Sequence, residues 1–102
     1  MSTLSKRIKE ARLRAGLSQE QLGIQIGIDP ASASARMNRY ELGKRVPDFD
    51  LVTRLADELG LPTAYFYAAA EDEAELLRRF HQLNSTERER VLAYLATSSV
   101  GN

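Results

Sequence analysis

Apolar residues recur at helical spacing along most of the chain. Intervals of three, four or seven residues place side chains on one face of an α-helix, and Ile8, Ala11 and Ala15 are the first set with this spacing. No alternating run rich in valine, isoleucine or threonine predicts a β-strand. The pattern therefore predicts an all-α protein.

Local start and stop residues divide this pattern into helices. Ser18 and Asp48 are suited to cap helix N-termini, because their side-chain oxygens can accept hydrogen bonds from free backbone N–H groups. Glycine is favoured where a helix ends in the left-handed conformation, and four glycines stand at such places: Gly16, Gly27, Gly43 and Gly60. The helix after Asp48 is expected to carry the apolar residues Phe49, Val52, Leu55, Ala56 and Leu59, and a short helix in "LPTAYFY" is expected to return Tyr65 and Phe66 to the core.

Two further apolar stripes follow residue 70. The first comprises Leu76, Leu77, Phe80 and Leu83, and the second comprises Val91, Leu92, Leu95 and Ala96. A capping box, either Asn84 with Glu87 or Thr86 with Glu89, can start the second helix, and residues 98–102 are expected to fray. The hairpin could pack on the preceding helices. We favour pairing with a second copy, through Leu76, Phe80, Leu83, Val91, Leu92 and Leu95, because the preceding helices already suffice for a core.

The segment from Gly27 to Arg45 is rich in alanine and serine, which could indicate a linker. Asp29-Pro30 instead indicates a helix start, with aspartate as the cap and proline at the first helical position. On that helix Ala33, Met37 and Tyr40 share one face. Another face carries polar and small residues: Ser32, Arg36 and Arg39, with Ala35 and Asn38 beside them.

Small side chains on this second face would let a helix approach a DNA major groove closely. Arginine can bond guanine bidentately and asparagine can bond adenine. Together with the helix that begins after Ser18, this helix would form a helix-turn-helix unit. The alternative is an ordinary solvated helix face.

Charge is balanced overall but unevenly distributed. The net charge is zero, whereas residues 1–45 hold nine basic and four acidic residues and so carry +5. A basic half favours nucleic-acid binding, although chance segregation would give the same distribution. The chain has no cysteine and no apolar run of the length that spans a bilayer, and "MSTLSKRIKE" is unlike a signal peptide. We expect a cytoplasmic protein with no metal site, cofactor or enzymatic activity, since no catalytic motif is present.

Several motifs agree in order with a known family. "LSQEQLGIQIGI", followed by "RYELGKRVPDFDLVTRLADELGLPTAYF", resembles the Cro/C1-type helix-turn-helix regulators, which include phage repressors and are also called the xenobiotic-response-element family. The resemblance covers about residues 5–67. It implies a five-helix, lambda-repressor-like DNA-binding domain over residues 1–69, with the two-helix extension over residues 70–99.

The resemblance also implies roles for individual residues. Gln19, Lys44 and Arg45 match phosphate contacts, and Arg12 with Glu41 matches a structural ion pair. The positions that match base reading, or contact with an adjacent base or phosphate, are Ser34, Ala35, Arg36, Asn38 and Arg39; Ser32 joins them if the helix is extended. The family implies binding to double-stranded DNA as a homodimer, typically as a repressor.

The chain departs from the family pattern in two places. Gly23 replaces the usual alanine at a close helix crossing. The segment between Gly27 and Glu41 is about four residues longer than usual, which corresponds to about one helical turn. We predict a recognition helix extended at its N-terminus; the alternative is a longer turn capped by Ser32. A second functional class also stays open, namely a protein-interaction module such as an antitoxin or bridging factor that binds a partner protein through the C-terminal helices.

Overall fold

A computed structural model describes residues 2–98 of the chain. Within that range it contains six α-helices, one 3₁₀ helix and no strand: α1 Thr3–Arg14, α2 Gln19–Gln25, α3 Pro30–Glu41, α4 Phe49–Leu59, the 3₁₀ helix Thr63–Tyr67, α5 Glu71–His81 and α6 Ser85–Ser98. The predicted all-α class is confirmed. Ser98 belongs to α6, and the rest of the segment expected to fray, residues 99–102, lies outside the described residues, as does the end of the predicted hairpin at residue 99.

The helix boundaries follow from local capping chemistry. The Ser18 hydroxyl accepts from the Gln21 N–H at 3.0 Å, while the Ser18 N–H donates to the Gln21 side chain at 2.8 Å. Asp48 accepts from the Leu51 N–H at 2.8 Å. Gly27 and Gly60 have φ angles of 95° and 66°, so both adopt the left-handed conformation that ends a helix. These predicted starts and stops are confirmed.

The turn between α5 and α6 uses one of the two predicted capping boxes. The Glu87 N–H donates to the Asn84 side chain, and the Asn84 N–H donates to the Glu87 carboxylate, both at 2.9 Å. Asn84 is therefore the residue that starts α6, and the Thr86 alternative is not used.

The hydrophobic core lies among α1–α4 and the 3₁₀ helix. Its residues that are 0 % exposed include Ile8, Leu22, Met37, Val52, Leu55, Tyr65 and Phe66. Tyr65 and Phe66 meet edge to face, with ring centroids 5.3 Å apart. The short 3₁₀ helix thus closes the core, as the sequence predicted for these two aromatic residues.

Two residues of the predicted apolar faces lie outside the core. Phe49 is 64 % exposed. It is the first residue of α4, and because side chains on a helix tilt toward its N-terminus, Phe49 points beyond the end of the packed helix. Ala15 is exposed because α1 ends at Arg14, so that Ala15 is the C-cap next to Gly16.

The two C-terminal helices are buried to very different extents. α5 packs on the 3₁₀ helix and buries Ala74 at 2 % exposure. Its predicted stripe is only partly covered, since Leu76 is 47 % exposed and Leu77 and Phe80 are half-buried. No residue of α6 through Ser98 is buried. Among residues 2–98, no helix combines the length and apolar character required to cross a membrane.

Candidate nucleic-acid interface

Helices α2 and α3 cross at close range at Gly23. Gly23 of α2 faces Ala33 of α3 so closely that a Cβ atom at residue 23 would lie 2.8 Å from the Ala33 Cβ and 3.0 Å from the Ala33 carbonyl oxygen. Such distances are well inside normal van der Waals contact. Glycine is therefore required at residue 23 for this spacing of the two helices.

One face of α3 anchors the helix in the core. Ala33 and Met37 are 0 % exposed and Tyr40 is 3 % exposed. The helix begins at Pro30, and the Asp29 side chain caps it by accepting from the Ala31 N–H at 2.9 Å. The extended helix is confirmed and the alternative cap at Ser32 is rejected. With 12 residues, α3 is about 18 Å long.

The face of α3 opposite the core is exposed and includes two small side chains. Ser34, Ala35, Asn38 and Arg39 are all exposed. Their spacing along a helix with 3.6 residues per turn places them together on the side away from the core. The backbone of α3 can therefore approach a partner surface closely, while Asn38 and Arg39 supply hydrogen-bonding groups.

Ser32 and Arg36 do not share this fully exposed position. Both are half-buried. Arg36 lies on the flank of α3 and lines a groove toward α4 with Arg45, Arg54 and the carboxylates of Asp48 and Asp50. The spacing of Arg36 and Arg39 predicted one shared face; in the structure the two arginines border different surfaces.

Gln19 links the start of α2 to α3. Its side-chain N–H₂ group donates to the Asn38 amide oxygen and to the Glu41 carboxylate, each at 3.2 Å. These bonds hold the Asn38 side chain beside α2. The Gln19 side-chain oxygen can still accept a hydrogen bond, and the Asn38 amide N–H₂ group can still donate one.

Arg12 and Glu41 form a bidentate ion pair beneath this network. The Arg12 Nε and Nη2 atoms lie 2.6 and 2.9 Å from the two Glu41 carboxylate oxygens, and Arg12 Nη1 donates to the Leu17 carbonyl at 2.9 Å. The hydrogen bond from Arg12 to Glu41 raises the pKa of Arg12, against the effect of burial. The pair ties α1 to the end of α3 and so fixes the orientation of α3 in the core.

The loop after α3 adds positive charge next to the exposed face of the helix. Lys44 and Arg45 are exposed, and so are two apolar residues that were not predicted at this surface, Leu42 (47 %) and Val46 (76 %). Leu42 follows Ala35 by seven residues, which is the spacing of one helix face. That spacing is readable from the sequence and would have placed Leu42 on the outer side of α3.

A known protein family matches most of the part of the chain that forms the hydrophobic core. A family model described as a helix-turn-helix domain matches residues 3–65, which span α1–α4 and most of the 3₁₀ helix. The chain belongs to the helix-turn-helix domain family. No curated protein matches the chain.

A solved structure extends the similarity beyond the helix-turn-helix domain. The crystal structure of the transcriptional regulator BswR aligns with a TM-score of 0.87 and 37 % sequence identity, over 95 % of this chain and 94 % of that chain. At this coverage the alignment includes most of α5 and α6. The C-terminal hairpin is therefore a feature that this helix-turn-helix protein has in common with BswR.

Within residues 2–98, no group of histidine, cysteine, aspartate and glutamate side chains is arranged to hold a metal ion. The chemistry that the surface around α3 offers is instead hydrogen bonding and positive charge, from Asn38, Arg39, Lys44 and Arg45. These groups suit an anionic partner with hydrogen-bonding edges.

Proposed function

We propose that the protein is a sequence-specific, double-stranded DNA-binding transcriptional regulator of the Cro/C1 type, acting as a repressor in the cytoplasm. The observation that carries the proposal is the outer face of α3, where Ser34, Ala35, Asn38 and Arg39 are exposed while Met37 and Tyr40 anchor the helix. A helix of this kind fits the major groove. The similarity to a transcriptional regulator over almost the whole chain agrees with this role.

Base reading is assigned to the exposed outer face. Arg39 can bond two acceptors on a guanine, and Asn38 can donate to a base acceptor from its free N–H₂ group. Ser34 and Ala35 allow close approach and contact with bases. Because they carry no large side chain, they leave the groove floor accessible to Asn38 and Arg39.

Phosphate contacts are assigned to the periphery of α3. Lys44 and Arg45 are exposed directly after the helix, and Gln19 lies at the N-terminus of α2. Ser32 and Arg36 are half-buried on the flank, so we assign them to the DNA backbone or to an outer base pair. Contacts with phosphate position the protein without reading sequence.

We further propose that residues 1–69 form the DNA-binding domain and that the C-terminal hairpin makes the protein a homodimer. α6 has no buried residue, and its Leu92 and Tyr94 are 57 % and 69 % exposed. Pairing through the hairpin, with Leu76, Phe80, Leu83, Val91, Leu92 and Leu95 at the interface, would remove this apolar surface from water. A two-fold pair with its α3 helices about 34 Å apart would match one turn of DNA and a symmetric operator.

Selection of bound sequences from a random duplex pool tests both parts of the proposal. The purified protein should enrich a consensus with two-fold symmetry and half-sites about one helical turn apart. A consensus consisting of one half-site would support DNA reading and reject the dimer on DNA. No enrichment over the starting pool would reject sequence-specific binding.

The exposed apolar residues of α6 favour one second candidate, a module that binds a partner protein such as a toxin or a transcription factor. In that case Leu92→Glu should abolish partner binding, whereas Arg39→Ala should have no effect on it. A sizing column must accompany the Leu92→Glu variant, because the same change would also separate a homodimer.

A further inference from the structure

Arg7 is a buried cation that joins α1 to the segment before α5. Its side chain is 1 % exposed. Arg7 Nε donates to the Ala68 carbonyl at 3.0 Å, and Nη2 donates to the Ala69 and Ala70 carbonyls at 3.3 and 3.5 Å. One guanidinium group thus bonds three consecutive backbone carbonyls about sixty residues away in the sequence.

The remaining nitrogen of Arg7 bonds two carboxylates. Nη1 lies 3.2 Å from a carboxylate oxygen of Glu10 on α1 and 3.2 Å from one of Glu71, the first residue of α5. The guanidinium carbon is also 5.8 Å from the centroid of the Tyr65 ring. All three nitrogens of the Arg7 guanidinium group therefore have hydrogen-bond acceptors. This is the condition for burying an arginine at a low cost in free energy.

The segment that Arg7 holds lacks side-chain hydrogen bonds of its own. Residues Ala68–Ala70 have no polar side chain, and Ala70 stands at the N-cap of α5 without a side-chain cap. Among residues 2–98, Arg7 is the side chain that bonds these three carbonyls. Without it, the three alanines would have no side-chain contact of this kind to fix the direction in which α5 leaves the 3₁₀ helix.

The other polar attachments of the hairpin are less extensive. Gln82 donates to the Gly60 carbonyl at 2.9 Å at the surface, and Lys6 pairs with Glu71 in solvent. α5 also has the buried Ala74 and the half-buried Leu77 and Phe80. α6 adds no buried residue. Exposed ion pairs contribute little to stability, so the network of Arg7 dominates the polar contacts that orient the hairpin.

We propose that Arg7 is a positioning residue that sets the angle between the C-terminal hairpin and the helix-turn-helix body. Where the chain dimerises through the hairpin on DNA, as proposed above, this angle also determines the separation of the two α3 helices. Arg7 then contributes to the spacing between half-sites that the dimer accepts, although it lies outside the surface assigned to DNA.

The first test measures the angle in the absence of DNA. The chain has no cysteine, so spin labels can be attached at Glu58→Cys on α4 and Glu89→Cys on α6, both exposed positions. When the labelled protein is diluted in unlabelled protein, the measured distance is the one between the two labels of a single chain. The key variant is Arg7→Lys, which keeps the charge but lacks the planar fork. The matched control is Lys6→Met, which removes the neighbouring ion pair with the same Glu71.

We expect one narrow distance distribution for the unaltered protein and for Lys6→Met, and loss of that single distance in Arg7→Lys. A narrow, unshifted distribution in Arg7→Lys overturns the proposal. If Arg7→Lys loses its helix content, Glu71→Ala replaces it, because the Glu71 side chain is 64 % exposed and can be removed without opening the core. Partial broadening in Glu71→Ala supports the proposal and an unchanged distribution overturns it.

The second test repeats the selection from a random duplex pool with Arg7→Lys. The expected result is the half-site sequence selected by the unaltered protein, but with the single spacing between half-sites lost. An unchanged spacing overturns the role of Arg7 on DNA. If neither protein selects DNA, the proposed function fails, while the distance measurement still decides whether Arg7 orients the hairpin.

Discussion

Replacing Gly23 by alanine tests the packing that holds α3 in place. In an isolated helix this change is favourable, because alanine is preferred over glycine by about 1 kcal/mol. In the folded protein the added Cβ would lie 2.8 Å from the Ala33 Cβ, 3.0 Å from its carbonyl oxygen and 3.1 Å from its Cα. These atoms belong to the backbone of α3 or are fixed to it, so no flexible side chain can move aside.

The expected magnitude follows from the two opposing effects. Carbon atoms pack best at about 3.5–4.0 Å, so α3 would have to retreat from Gly23 by about half an ångström or more. Overpacking of a tight core typically costs about 1–3 kcal/mol. Since this cost exceeds the helix-propensity gain on average, we expect Gly23→Ala to lower the free energy of unfolding by about 1 kcal/mol.

Urea unfolding followed by circular dichroism measures this change. The control is Gly16→Ala, where a Cβ meets nothing within 4 Å but φ is +73°; its cost should come from the left-handed backbone alone, at about 1–2 kcal/mol. A double variant with Ala33→Gly separates crowding from propensity, because removing the Ala33 Cβ relieves the shortest contact. If Gly23→Ala raises stability by about 1 kcal/mol and its effect is additive with that of Ala33→Gly, the close-crossing explanation is refuted.

Three further predictions concern stability, pH and DNA contacts. Arg12→Met leaves the buried Glu41 carboxylate without its ion-pair partner and should lower the free energy of unfolding by about 3–5 kcal/mol; a loss below about 1 kcal/mol in urea unfolding would contradict the structural role. Hydrogen bonds from Arg78, and then Arg79, lower the pKa of Glu75 from 4.5 to about 2, so its contribution to stability is present above pH 4.5 and is lost as the pH falls toward 2. Glu75→Gln should therefore lose less stability than the unaltered protein as the pH falls from 4.5 toward 2. An equal loss of stability in the two proteins would contradict the lowered pKa of Glu75. Arg36→Ala should weaken binding to all duplexes equally if it contacts phosphate, whereas a loss of about 1–3 kcal/mol confined to one base pair would assign it to base reading.

Short-range features of the fold were predictable from the sequence because their causes are local. Ser18 and Asp48 cap helices through N–H groups three residues away, and Gly27 and Gly60 adopt backbone angles that glycine favours. The start of α3 at Pro30 was likewise predictable from its neighbour Asp29. Such contacts need no knowledge of the rest of the molecule.

Features that depend on distant residues were not predictable in the same way. Arg7 was one basic residue among nine in the first 45 residues, yet it is buried against carbonyls about sixty positions later. Arg36 and Arg39 have the spacing of one helix face, but the position of α4 places Arg36 in a groove. Phe49 fitted an apolar stripe, but the stripe alone does not show where the core ends.

The ratio of affinities for the selected duplex and for a shuffled duplex of equal composition tests most directly whether the outer face of α3 reads DNA. The comparison is between Arg39→Ala and Arg90→Ala, two exposed arginines on α3 and α6 whose removal changes the net charge equally. We predict that Arg39→Ala lowers this ratio by roughly ten- to a hundredfold, the value of one bidentate base contact, and that Arg90→Ala leaves it unchanged. An unchanged ratio in Arg39→Ala, at a salt concentration where the unaltered protein discriminates between the two duplexes, would contradict the assignment of Arg39 to base reading.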